Sequence, residues 1–117
     1  MYQENMALNH NVLFAAQACG VRKFISVLST CIFPDHIESY PFDESTIHLG
    51  PPHPSNEGYA YAKRMLEIES RLYRNQYGMN CVSVIPTNIY GPHDNFHLDN
   101  AHVVPALIHQ TSLASRT

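Results

Sequence analysis

Apolar positions along this chain fall into two alternating registers, one helical and one extended. Over 4–19, Met6, Leu8, Val12, Leu13, Ala15, Ala16 and Cys19 make a broad apolar face at helical spacing, and Gly20 is a natural C-terminal stop. Residues 24–28 read Phe-Ile-Ser-Val-Leu, an apolar run of strand length without strict alternation. Such a run suits a strand buried on both faces of a parallel sheet. The stretch 34–57 is polar, proline-rich and aperiodic, which predicts a long loop, and loops of that length in a compact domain usually carry function. A second helix is predicted over 58–77, with Ala62, Met65, Leu66, Glu69, Leu72 and Tyr73 along its faces. Ser55 and Asn56 offer caps at its start and Gly78 ends it. Residues 81–85, Cys-Val-Ser-Val-Ile, form a second strand stopped by Pro86. A loop over 86–100 follows, then a last helix from about Val103 with Pro105 in its first turn.

The order helix–strand–helix–strand–helix predicts an α/β fold: parallel strands joined by a crossover helix, as in part of a Rossmann-like, doubly wound sheet. At 117 residues the chain is one domain or part of one, without internal repeats. A hydrophobic fraction of 44% excludes a disordered chain. The net charge is −3 and no basic run occurs, so no nucleic-acid or membrane-surface partner is expected. No apolar stretch approaches the roughly 18 residues that suggest a membrane span. Residues 1–5 lack the basic and apolar regions of a signal peptide, and the three cysteines form no C-x-x-C pair. These features predict free thiols and a cytoplasmic protein.

Tyr59 and Lys63 are four residues apart, so on a helix they share one face. An ammonium close to a phenol favours its ionised form, and a phenol tuned this way can exchange a proton with a carbinol oxygen. Ser29 at a strand end is on its own a turn former, yet beside such a pair its hydroxyl can bond the same oxygen. Cys31 sits just past that strand end, whereas Cys19 and Cys81 read as small buried hydrophobes. His93 and His97 are four apart, but no third ligand and no H-E-x-x-H word accompanies them, so no metal site is expected. His36, His48 and His53 read as loop surface residues.

Ser29 with Tyr59-x-x-x-Lys63 resembles the catalytic set of the extended short-chain dehydrogenase/reductase superfamily. The longer words Ser-Thr-Cys-Ile-Phe-Pro at 29–34, Gly-Pro-Pro-His at 50–53, Tyr-Ala-Tyr-Ala-Lys-Arg-Met at 59–65, and Ile-Pro-Thr-Asn-Ile-Tyr-Gly-Pro-His-Asp-Asn-Phe at 85–96 narrow the resemblance. They are similar to the GDP-L-fucose synthase family of epimerase/reductases, as is the word His-Val-Val-Pro-Ala-Leu at 102–107. The similarity runs from about Glu4 to about Leu113.

That resemblance implies 3,5-epimerisation of GDP-4-keto-6-deoxy-D-mannose followed by NADPH-dependent reduction at C4, with NADP(H) as cofactor. It implies catalytic roles for Ser29, Tyr59 and Lys63 in reduction, and for Cys31 and His102 as base and acid in epimerisation. It further implies cofactor contacts from Val27, Leu28, Ser29, Thr30, Tyr59, Lys63, Pro86, Thr87, Asn88, Ile89 and His102, and substrate contacts from Asn88 and Gln110. The family pattern has a basic residue where this chain has Gln110. The superfamily pairs two helices per subunit across a dimer, which implies a homodimer through helices 4–19 and 58–77. Its dinucleotide site uses a glycine-rich first βα turn, and none of the five glycines here forms G-x-G-x-x-G. Residues 1–117 are therefore expected to be the central, incomplete part of an NAD(P)-binding Rossmann-like domain, without the first βαβ unit and the C-terminal substrate domain. Two other readings stay open: an epimerase or dehydratase acting on another sugar nucleotide, and a non-catalytic chain that dimerises with full-length subunits.

Overall fold

Two short strands pair in parallel, and a long helix connects them. The computed structural model describes residues 2–37, 40–41 and 43–116. Residues 38, 39 and 42 of the expected loop lie outside that description. The described residues divide into two units, 1–86 and 87–117.

In the first unit, helix α1 (Tyr2–Ala18) leads through Gly20 to strand β1 (Phe24–Val27). Helix α2 (Glu57–Tyr77) crosses over to strand β2 (Cys81–Val84). The strands pair with Phe24 opposite Cys81 and Val27 opposite Val84. Leu28 extends the ladder by donating its N–H to the Val84 carbonyl at 2.8 Å. Gly78 ends α2 at φ 65, a left-handed conformation open to glycine at little cost, and donates its N–H to the Arg74 carbonyl. Asn56 occupies the N-cap of α2 without a side-chain bond. The His53 ring instead accepts the Ser55 N–H and caps the single turn before the helix.

Two apolar clusters hold this unit together. Leu13 of α1 packs with Met79 and Cys81, and Phe24 and Tyr73 close around them. Leu28, Ile32, Ile47 and Leu66 form the other, joined by Phe33 and Ile85. Each such aliphatic side chain contributes about 1.5–3 kcal/mol when fully buried. Ser26 of β1 and Ser70 of α2 add a buried hydrogen bond of 2.6 Å between strand and helix.

Both helices pack on the same sheet face, the one that carries Phe24, Ser26 and Cys81. The other face is exposed at Ile25 (54%), Val27, Val82 and Val84, so the expected burial of the first strand on both faces is corrected to burial on one. The apolar face of α1 is likewise not core throughout: Leu13 is buried, but Leu8 is 62% and Val12 49% exposed. Cys81 is buried, whereas Cys19 is exposed because it falls in the turn after α1 rather than on the helix.

The long loop is tied down rather than regular. Asp43 caps a single turn, Glu44–Thr46, by accepting the Ser45 N–H. Asp35 donates its N–H to the Pro51 carbonyl at 2.9 Å, bringing the two ends of the loop together. A Cβ on Gly50 would lie 3.2 Å from Pro34 Cβ, so the close approach here favours glycine.

In the second unit, side-chain caps build the stretch before helix α3 (Val103–Ala114). The Asn95 side chain accepts the His97 N–H and donates to the Asn100 carbonyl. His109 of α3 donates its Nδ1–H to the Phe96 carbonyl at 2.7 Å, fixing the helix to that stretch. Pro105 in the first turn of α3 is buried. No helix among the described residues is long and apolar enough to cross a membrane.

Candidate active site

The end of β1 and the first turns of α2 make the site in the first unit. After Leu28 the chain leaves the sheet at Ser29, whose backbone is extended (φ −154, ψ 152), and closes one 3-10 turn over Thr30–Ile32. Ile32 donates its N–H to the Ser29 carbonyl, and Phe33 donates to that of Thr30, each at 3.2 Å. Ser29 Oγ accepts the Cys31 N–H at 3.4 Å, so the serine forms the turn while its hydroxyl keeps a proton to donate. Ile32 is fully buried and anchors the turn, and Cys31 beside it is partly exposed.

From α2, Tyr59 and Lys63 face the same side. Lys63 Nζ lies 5.7 Å from the Tyr59 ring centroid and donates a 2.8 Å hydrogen bond to the carbonyl of Val27, the last residue of β1. The ammonium is thereby fixed beside the strand end, with two further N–H donors for a ligand. An ammonium, a phenol, a serine hydroxyl and a thiol on adjoining elements can bind the hydroxyls of a ribose and pass protons to a carbonyl compound. This donor set suits a nicotinamide ribose.

Arg64, the next residue of α2, escaped the reading of the sequence. It is only 6% exposed and donates Nε–H to the Ile32 carbonyl at 2.7 Å. Its guanidinium carbon lies 5.4 Å from the Tyr61 ring centroid. Burial pulls its pKa below the usual guanidinium value, and the neighbouring Tyr61 and Cys31 act in the opposite direction. Its Nη2 is buried with no partner among the described residues, a feature that costs about 1–3 kcal/mol. Arg64 stands one turn after Ala60, and both are buried, while Ala62, Leu66 and Ser70 form a second buried line on the far side of the helix.

A cleft of about 580 Å³ opens elsewhere in this unit, lined by Leu28, Ile47, His48, Glu67, Arg71 and Ile85 among others. His48 and Arg71 each meet Glu67 at 3.3 Å along it. Of the predicted site residues only Leu28 lines it.

Val27, Tyr59 and Lys63 are joined by contacts, Leu28, Ser29, Thr30 and Cys31 continue the chain from Val27 into the turn that Arg64 of α2 bonds at Ile32, and Pro86 ends the same unit. The remaining predicted residues belong to the second unit. Thr87, Asn88 and Ile89 are exposed along its first segment. His102 is the exposed N-cap residue of α3, without a side-chain cap bond, and Gln110 is exposed two turns along that helix. Among the described residues no group of three or more His, Cys, Asp or Glu side chains could hold a metal ion.

A parallel α/β unit with a phenol–ammonium pair at the carboxyl end of a strand defines a Rossmann-like protein, whose ligands bind outside the carboxyl ends of the strands. Comparison with known proteins agrees. The chain belongs to the NAD dependent epimerase/dehydratase family, which it matches over residues 1–115. It is 58% identical over 115 residues to GDP-L-fucose synthase of Dictyostelium discoideum, covering 98% of this chain and 36% of that one. A crystal structure of a GDP-L-fucose synthetase from Naegleria fowleri superposes with a TM-score of 0.87 at 48% identity, over 98% of this chain and 36% of that one. A second crystal structure of that synthetase, bound to NADP, gives a TM-score of 0.83 at 48% identity, over 98% of this chain and 38% of that one. The chain thus spans about a third of the length of the curated relatives it matches.

Proposed function

We propose that this chain is the central part of an NADP-dependent enzyme that makes GDP-L-fucose from GDP-4-keto-6-deoxy-D-mannose. The observation that carries the reading is the Lys63 ammonium, bonded to the Val27 carbonyl and set against the Tyr59 ring beside the Ser29–Cys31 turn. The 58% identity to a GDP-L-fucose synthase supports the choice of substrate.

In this reading Cys31 removes the protons α to the ketone, and His102 returns protons on the opposite face, inverting C3 and C5. Ser29 and Tyr59 then bond the C4 oxygen, and Tyr59 delivers its proton as the carbonyl is reduced. Lys63 binds the ribose hydroxyls and replenishes the charge balance around Tyr59. NADPH, when bound, supplies the hydride. Val27, Leu28, Thr30, Pro86, Thr87, Asn88, Ile89 and His102 line the cofactor, while Asn88 and Gln110 contact the nucleotide sugar. Gln110 is neutral, so it bonds the diphosphate without neutralising it.

The reading extends to assembly and location. Residues 1–117 form the central part of an NAD(P)-binding Rossmann-like domain. Leu8, Val12 and Phe14 on α1 and Tyr61, Leu72 and Tyr77 on α2 are exposed apolar side chains that suit a homodimer through these helices. The free cysteines suit the cytoplasm, where thiols stay reduced. The same exposed side chains favour one other reading, a non-catalytic chain that pairs with complete subunits.

Deuterium incorporation tests the assignment. The chain and GDP-4-keto-6-deoxymannose are incubated in heavy water without NADPH, and the sugar is analysed by mass spectrometry. Exchange at C3 and C5 that disappears in Cys31→Ser is the expected result. Exchange that survives Cys31→Ser removes the thiol from the mechanism, and no exchange in the wild-type chain favours the non-catalytic reading.

A further inference from the structure

A buried polar contact joins the turn that carries Cys31 to the helix that carries Tyr59 and Lys63: the Arg64 Nε–H bond to the Ile32 carbonyl at 2.7 Å. Arginine is seldom buried, and this one leaves Nη2 without a partner among the described residues. A methionine of similar length would fill the same space without desolvating a charge. Departures from local rules of this kind concentrate at functional sites, where geometry is kept at the expense of stability. The bond has a specific consequence. Ile32 is the residue after Cys31, and the turn is a single one held by two weak 3.2 Å backbone bonds and the 3.4 Å Ser29 contact. The bond to Arg64 is shorter than any of these and comes from a charged group, the stronger kind.

We propose that Arg64 is a positioning residue: its guanidinium ties the turn bearing Cys31 to α2, setting the thiol in register with the Tyr59–Lys63 pair. The inference rests on the role given above to Cys31, but its test does not. Lys63 is bound separately to the Val27 carbonyl, so losing Arg64 frees the thiol while the phenol–ammonium pair stays in place. Arg64 touches neither substrate nor cofactor in this scheme and acts through the backbone of the turn.

Cysteine labelling reads the strut directly. Purified wild-type, Arg64→Met and Arg64→Lys chains are treated with iodoacetamide at one pH. Cys19, Cys31 and Cys81 are quantified on separate peptides, and helix content is followed by circular dichroism. Arg64→Met raises the Cys31 rate about tenfold, the size expected from losing a hydrogen bond donated by a charged group, with Cys19 and Cys81 unchanged. Arg64→Lys, which can still donate to the Ile32 carbonyl, returns Cys31 to within about twofold of wild type. A Cys31 rate unmoved by Arg64→Met overturns the proposal. So does a parallel rise at buried Cys81, which marks general loosening, or a lysine variant that restores nothing. If deuterium exchange survives Cys31→Ser while labelling follows the expected pattern, the strut stands and the catalytic role of Cys31 falls.

Discussion

Ser26 and Ser70 form the buried tie between β1 and α2, and their hydroxyls are ordered in one direction. Ser70 Oγ donates to the Leu66 carbonyl at 2.7 Å, which uses its only proton. The 2.6 Å contact between the two hydroxyls is therefore donated by Ser26. The two alanine variants are consequently unequal. Ser26→Ala removes one donor and leaves Ser70 still bonded to Leu66, a loss of about 1 kcal/mol. Ser70→Ala removes the acceptor and strands a buried hydroxyl at Ser26, a loss of about 2–3 kcal/mol. The double variant removes both polar groups and leaves nothing stranded, so it costs about 1 kcal/mol, well short of the summed single effects. Urea unfolding followed by circular dichroism measures all three against wild type. Ser26→Ala as costly as Ser70→Ala, or a double variant equal to the sum, would refute the directed chain of bonds. The tie matters for function because β1 ends at the Val27 carbonyl that holds Lys63, and α2 carries Lys63 itself.

Lys63→Met should lower kcat/KM for NADPH-dependent reduction at least about 100-fold without lowering the unfolding midpoint by more than a few degrees, as steady-state kinetics and a thermal melt would show. Gly78→Ala places a Cβ on a φ of 65 and should cost about 1 kcal/mol in urea unfolding; no loss would mean that the left-handed cap is not held in solution. Burial pushes the Cys81 thiol above its ordinary value of 9.0. The unfolded chain then loses that proton first as pH rises, so this contribution is complete below about pH 9 and is lost as pH rises through the folded value. Cys81→Ala should flatten this alkaline limb of a stability–pH curve, and an unchanged limb would assign it elsewhere.

The regular elements were legible because their signals are local. The helical repeat places the start of α2 within one residue and Gly78 marks its end, the apolar runs give both strands, and the helix between them gives their parallel pairing. What covers each apolar face was not legible. Periodicity puts Leu8, Val12 and Leu13 on one face of α1, but which of them is buried depends on a partner surface that no local pattern encodes. The turn at Glu44–Thr46 is too short to have a period, and its signal is the capping Asp43 alone. Within the site, the spacing of Tyr59 and Lys63 gave their shared face. The bond from Lys63 to Val27 joins residues 36 apart and needed the fold. Arg64 was not legible, because charge on a helix normally marks its solvated side, and its burial depends on the Ile32 carbonyl, 32 residues away in the chain.

The most direct test of the central claim is NADPH oxidation by the purified chain, with and without GDP-4-keto-6-deoxymannose, beside the Tyr59→Phe variant. The account predicts oxidation that requires the substrate and falls by about 100-fold or more when the phenol is removed. Oxidation that ignores the substrate, or that survives Tyr59→Phe unchanged, would contradict it.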